Sequence, residues 1–282
     1  MVKILSDSTC DLSRELLEKY DISILPLHIL LGEKEYCDGV DITPDEIFQW
    51  SDAQKTTPKT SAPALDMAME MLEPFVKEKQ PVICFSISED MSTSANVMRM
   101  AASELEAEDL VTVIDSASLS TGIGLLVLHA AEMAQAGKTV EEIQTEIEEL
   151  KPKVRASFVV DTLVYLYRGG RCSGLAAMFG SALHLHPMIV VENGKMHSSK
   201  KYRGKLSKVI LDYAKDLKEQ MEQARSERVF ITHSGCSPEV VEKVQSFLEE
   251  LHIFDEILIT RAGGVISSHC GPGTLGVLFI EK

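Results

Sequence analysis

The chain has 282 residues, 45% of them hydrophobic and 25% charged, an ordinary globular balance with enough apolar material for one large or two medium domains. Its net charge of -15 argues against a nucleic-acid binder, which needs a basic face for phosphates, and against attachment to an anionic membrane surface. No segment approaches the ~18 consecutive apolar residues of a membrane span. The opening MVKILSDSTCDL lacks the apolar run of a signal peptide, so the expected location is cytoplasmic. Six cysteines without a CxxC pair read as reduced thiols rather than a disulfide framework or a zinc site.

In chain order, Val2 to Leu5 is a short apolar run followed by a polar turn and a helix from about Ser13 to Tyr20. Ile22 to Leu31 is a second apolar stretch, interrupted by Pro26. Thr43 as N-cap with Pro44 behind it opens another helix. Ser61-Ala-Pro reads as a further helix start, leading into a Met-rich stretch from Leu65 to Lys79. Pro81 to Ser88 and Val111 to Ile114 are continuous apolar strands of the buried parallel kind, each followed by a helix, near Ser92 and near Leu119. Thr139-Val-Glu-Glu142 is a capping box for the next helix. These repeated β-loop-α units imply an α/β, doubly wound parallel sheet over residues 1–154.

From Pro152 the pattern changes. Ser157 to Asp161 reads as a strand, Thr162 to Arg168 as a helix ending at Gly169-Gly170, and Leu175 to Leu183 as a second helix. Met188 to Glu192, Asn193-Gly194 and Lys195 to Tyr202 read as a hairpin, because Asn-Gly supplies the positive φ angles of a type I′ turn. A long helix from Lys205 to Arg225, strand Val229 to Thr232, helix Pro238 to Leu251, strand Glu256 to Thr260 and strand Leu275 to Ile280 complete a smaller C-terminal α+β domain over residues 155–282.

Open α/β sheets bind ligands at strand ends. Two such ends deliver hydroxyl-rich segments expected at helix starts, Thr60-Ser61 and Ser92-Thr93-Ser94, where free N–H groups suit a carboxylate or phosphate. The same residues also fit as simple helix caps. His269 is expected in a glycine-bordered loop, where it can reach an anion or merely cap. His184 and His186 form an HxH pair with no further ligand at a recognisable spacing, and read as structural. Gly271 to Gly276 matches GxGxxG but opens no helix and is trailed by only six residues, so it is no dinucleotide fingerprint. Lys195 to Lys208 is basic without an acidic residue, which suits an anionic partner or a solvated face equally. Met67, Met71, Met91, Met98 and Met178 suit an adaptable pocket or plain core packing.

Together these segments resemble the DegV family along nearly the whole chain. Asp7-Ser-Thr-Cys-Asp11 is similar to its DST-x-D start, Thr60-Ser-Ala-Pro63 to its TSxP loop, and Ser86-Ile-Ser88 through Ser92 to its SISSxLSGT segment. Asp115-Ser116, Gly122, Leu166-Tyr-Arg-Gly-Gly-Arg171, His186-Pro187, Gly194-Lys195, Tyr202-Arg-Gly204 and His269-Cys-Gly-Pro-Gly273 continue the match in order. The resemblance implies a fatty-acid carrier, not an enzyme, with the acyl chain buried between the two domains and no other cofactor. It implies that the carboxylate is held by Thr60, Ser92 and His269, with Ser61 and Thr93 beside them. It further implies that Arg171 and Arg203 face a fatty acid kinase that phosphorylates the bound acid. This chain departs from the family pattern at Ser92-Thr-Ser94, which replaces SGT, at Cys270 and at His186.

Two readings from other classes stand beside the carrier. One is a hydrolase using Ser92 or Ser94 with His269 and Asp7 or Asp115, or a thiolate at Cys270; no nucleophile elbow supports it. The other is an interaction module anchored on Lys195 to Lys208, which needs no tight ligand.

Overall fold

The computed structural model describes residues 1–172 and 185–282; the expected helix from Leu175 to Leu183, Met178 and His184 lie outside the described residues. The first part of the chain forms β1 (Lys3–Asp7), α1 (Arg14–Lys19), β2 (Ile22–Leu25), β3 (His28–Leu31), β4 (Lys34–Cys37), α2 (Pro44–Gln54) and β5 (Lys59–Ser61). It continues through α3 (Leu65–Lys77), β6 (Val82–Ser86), α4 (Ser94–Glu104), β7 (Val111–Asp115), α5 (Thr121–Gln135) and α6 (Val140–Leu150). Then come β8 (Val154–Val159), α7 (Val164–Gly169), β9 (Leu185–Glu192), β10 (Lys195–Arg203), α8 (Leu206–Asp216) and α9 (Lys218–Met221). The last elements are β11 (Arg228–Ser234), α10 (Pro238–Leu251), β12 (Glu256–Arg261), α11 (Gly264–Cys270) and β13 (Thr274–Ile280).

The strands β2-β1-β6-β7 form the expected parallel sheet, and β1 and β6 are buried along their whole length. Side chains alternate across it. Ile4, Ile83 and Phe85 pack with α5, while Leu5, Val82 and Cys84 pack with α3 and α4. The second sheet runs β10-β9-β8-β13-β11-β12, antiparallel except between β11 and β12. One of its faces packs on α8 and α10, and the other packs through Phe158, Ile189 and Leu278 into the cluster that holds α5. α5 is therefore sandwiched between the two sheets. Ile123, Leu126, Val127 and Leu128 are each 0% exposed, as befits a helix apolar all round.

Several local expectations are met for their stated reasons. Thr43 and Thr139 both close capping boxes, with Glu46 and Glu142. Asn193 and Gly194 take φ angles of 50° and 78° at the hairpin turn. Others need correction. Pro26 divides the second apolar stretch, so that β3 leaves the parallel sheet and pairs with β4 and β5 in a separate three-stranded sheet. Thr60 and Ser61 belong to β5 rather than to a helix start, and α3 begins at Leu65 with no side-chain cap. The long helix expected from Lys205 is broken at Leu217 into α8 and α9. His269 sits in α11, not in a loop.

What places α11 is a set of buried carboxylates. Asp11 accepts hydrogen bonds from the Gly263 N–H at 2.8 Å and the Ser120 hydroxyl at 2.5 Å. Asp38 accepts from the Gly264 N–H at 2.7 Å and the Ser8 hydroxyl at 2.8 Å. Asp7 accepts from the Ile87 N–H at 2.9 Å and the Ser94 hydroxyl at 2.8 Å. The Gly263 and Gly264 N–H groups at the start of α11 are thus held by the carboxyl oxygens of Asp11 and Asp38, from the opposite end of the chain.

Burial pushes all three carboxyls up against the lowering effect of these donors, Asp11 to about 8. A carboxyl whose folded pKa lies above its unfolded value holds its proton longer in the folded state, so its stabilisation is full below about pH 4 and lost as pH rises to about 8. The Asp11 contribution to stability, read by urea unfolding, should therefore decline between pH 5 and pH 8. Asp11→Asn should flatten that decline; parallel pH curves for the two proteins would contradict it.

Candidate functional site

The sandwich around α5 leaves a seam, and a cavity of about 420 Å³ opens there. β5 contributes Thr60 and Ser61, and the loop between β6 and α4 contributes Met91, Ser92 and Thr93. Arg171 follows α7, Met196 comes from β10, and Ile266, His269 and Cys270 come from α11. Six of the seven residues singled out in the sequence, Thr60, Ser61, Ser92, Thr93, Arg171 and His269, line this one space. Arg203 does not. It is the exposed last residue of β10, opposite Leu185, because the hairpin runs away from the seam.

The cavity is polar at one end. The Thr60 hydroxyl lies 2.8 Å from His269 Nε2, across 209 residues of sequence. Ser92 is held by a turn in which its N–H donates to the Ser88 carbonyl at 3.1 Å, and its Oγ accepts from the Ser94 N–H at 3.3 Å. The Ser94 hydroxyl is turned away to Asp7, so of the two serines only Ser92 reaches the cavity. Thr93 begins α4 without capping it, which leaves its hydroxyl uncommitted to the helix. Burial, and then the positive charge of Arg171, push the His269 pKa down to about 4, so the ring is neutral near pH 7. The acidic rim residues are compensated, Glu89 by Arg99 at 2.6 Å and Asp90 by Lys195 at 3.5 Å.

The rest of the wall is apolar. Ile87, Met91, Leu119, Met196 and Ile266 line it. A separate small cavity of about 20 Å³ shares Leu119, Ile266 and Cys270 with it and is lined further by Phe158 and Leu278 together with Ser120, Thr232 and Thr274. Hydroxyls and one imidazole beside an apolar wall suit an amphipathic molecule with an anionic head. A larger cavity of about 510 Å³ lies near Arg155 and Glu192, but none of the residues singled out in the sequence lines it.

The remaining candidates take other roles. His186 bridges the Val160 and Gly204 carbonyls at 3.3 and 3.1 Å, a structural histidine as expected. Among the described residues no cluster of metal-ligating side chains occurs. Of the methionines, Met91 lines the cavity, whereas Met67, Met71 and Met98 pack among α3 and α4. The basic stretch is partly neutralised, Lys200 bonding Asp216 at 2.5 Å. For a hydrolase the geometry is poor. Among the described residues no hydrogen bond joins Ser92 to His269, and Asp7 is committed to four donors. Burial pushes the Cys270 thiol up, away from the thiolate a nucleophile needs. Gly169 was not singled out as a site residue, yet it lies against His269. Only the doubled glycine after a helix signalled it.

Comparison with known proteins bears on the family and the fold. The model of a family described as "Uncharacterised protein, DegV family" matches residues 1–282. A DegV domain-containing protein of Clostridium perfringens is 32% identical over 100% of this chain and 99% of its own. A DegV family protein from Thermus thermophilus, described by its fatty acid binding, has a TM-score of 0.90 at 30% identity, covering 100% of this chain and 99% of its own. A stearic acid-binding protein from Eubacterium ventriosum has a TM-score of 0.87 at 32% identity, with the same coverage. No described helix is long and apolar enough to cross a membrane.

A depressed histidine pKa gives a signed prediction. The unfolded chain takes up a proton near pH 6.5 while the folded ring resists to about 4, so His269 withdraws stability as pH falls through that window. NMR titration should show the His269 ring uncharged at pH 5.5. Arg171→Gln should raise its pKa only in part, because burial is the larger cause; a native ring titrating near 6.5 would contradict the assignment.

Proposed function

The chain belongs to the DegV family, and from that premise we propose that it binds a long-chain fatty acid in the cavity between its two sheets and presents the carboxylate to a fatty acid kinase. One observation carries the reading: Thr60, Ser61, Ser92, Thr93 and His269 converge on one cavity whose wall also carries Ile87, Met91, Leu119, Met196 and Ile266. In this reading the carboxylate lies against Thr60, Ser92 and His269, with Ser61 and Thr93 beside it, and the tail runs past Leu119 and Ile266. Arg171 and Arg203, both exposed, face the kinase and the phosphate it transfers. The protein is then a cytoplasmic carrier, the substrate-presenting partner in acyl phosphate formation for lipid metabolism, and carries out no chemistry itself.

The energetics favour the tail as the source of affinity. Burying ~15 methylenes at about 0.8 kcal/mol each gives on the order of 12 kcal/mol, against association costs of roughly 4–15 kcal/mol. A carboxylate taken out of water needs several donors merely to offset its desolvation, so the head group mainly sets orientation.

Native mass spectrometry of the purified protein should show a stoichiometric adduct that extracts as a long-chain fatty acid. An apo mass unmoved by added palmitate or oleate would overturn the carrier reading. Ser92→Ala should reduce acyl phosphate formation with a fatty acid kinase by at least about tenfold while leaving palmitate retention within about threefold, since the tail supplies most of the affinity. Equal loss of both would break that division. Serine- and cysteine-directed reagents should leave folded protein unlabelled at Ser92 and Cys270; stoichiometric labelling of either would favour the hydrolase.

A further inference from the structure

Two adjacent glycines end α7, and they are there for different reasons. Gly170 caps the helix with φ of 68° and has open space where a Cβ would stand. Its need is conformational. Gly169 is the last helical residue and has no positive φ, so its backbone suits any residue, and alanine would favour the helix more. Space is what it supplies. A Cβ at Gly169 would lie 2.3 Å from His269 Nδ1 and 3.1 Å from Cε1, closer than real side chains approach. The ring cannot retreat from Gly169 without disturbing its 2.8 Å contact with Thr60.

The same packing decides which ring nitrogen carries the proton. Nδ1 is buried with no hydrogen-bond partner among the described residues. A proton there would be an orphaned buried donor, which is rarer and costlier than an unused lone pair. The proton therefore belongs on Nε2, which donates to Thr60 Oγ1. With its oxygen occupied as an acceptor, the Thr60 hydroxyl turns its own proton into the cavity it lines.

We propose that Gly169 is a positioning residue for the head-group end of the cavity: its missing Cβ seats His269 against Thr60, so that Thr60 donates to an anionic head group. The ligand part of this rests on the carrier reading above; the seating of the ring does not. Ligand-free protein read by nitrogen-15 NMR of its histidine rings should show His269 as the Nε2–H tautomer, and Gly169→Ala should abolish that signature. Acyl phosphate formation from palmitate with a fatty acid kinase should fall about tenfold in Gly169→Ala while palmitate retention stays within about threefold, yet change less than about twofold when the same substitution is made on a His269→Ala background.

An unchanged His269 signature in Gly169→Ala, or the same loss of acyl phosphate formation on both backgrounds, would overturn the proposal. Should Gly169→Ala fail to fold, the double variant with His269→Ala must fold if the ring is the obstacle. Failure of both would place the glycine's role in α7 itself and refute it. If no variant and no native protein binds palmitate, the carrier reading fails, and the NMR signature still decides whether Gly169 seats the ring.

Discussion

The buried carboxylates of Asp7, Asp11 and Asp38 are what the rest of the site depends on. Each accepts hydrogen bonds from elements far away in sequence: Asp7 from the β6–α4 loop and α4, Asp11 from the segment before α5, and both Asp11 and Asp38 from the start of α11. A seven-residue helix has little stability of its own, and α11 exists because tertiary contacts satisfy its free N–H groups and bury Val265 and Ile266. Its far end carries His269. The N-terminal loop thus positions a histidine more than 250 residues later without touching it.

The second organising feature is α5. A helix apolar on all sides must be covered on all sides, and here the parallel sheet and the six-stranded sheet cover it together. The two halves of the chain therefore share one core rather than meeting at a polar interface. Where the sheets diverge around the start of α5, the shared core opens into the cavity, which takes apolar wall from Leu119 and Ile266 and hydroxyls and an imidazole from β5, the loop before α4 and α11. An acyl chain is the kind of ligand that such an arrangement suits, since its tail can extend the core and its head can meet the donors at the edge.

Much of this was legible one element at a time. The Asn193-Gly194 turn, the Thr43 and Thr139 capping boxes, the helix from Pro238 to Leu251 and the buried parallel strands follow from short-range chemistry, which neighbours in space do not overrule. The errors lie where local signal is weakest. β5 has three residues, too few to show an alternation, so its hydroxyls looked like a helix cap. α11 is bounded by glycines and rich in serine, which locally reads as loop. Pro26 signalled an interruption but not that the chain would change sheets there.

By itself the sequence determined the α/β class and, through motifs that resemble one family, marked Thr60, Ser92 and His269 as candidates, because class and motif depend on residue type and order along the chain. It also exposed the departures at Ser92-Thr-Ser94, Cys270 and His186. Only the tertiary structure decided that Thr60 meets His269 while Ser94 turns to Asp7, that Arg203 stands apart from the cavity, and that Gly169 rather than Gly170 faces the imidazole. The reason is physical. Hydrogen-bond partners and steric room at a buried site are set by elements that arrive from distant parts of the chain, and their separation in sequence carries no record of their distance in space.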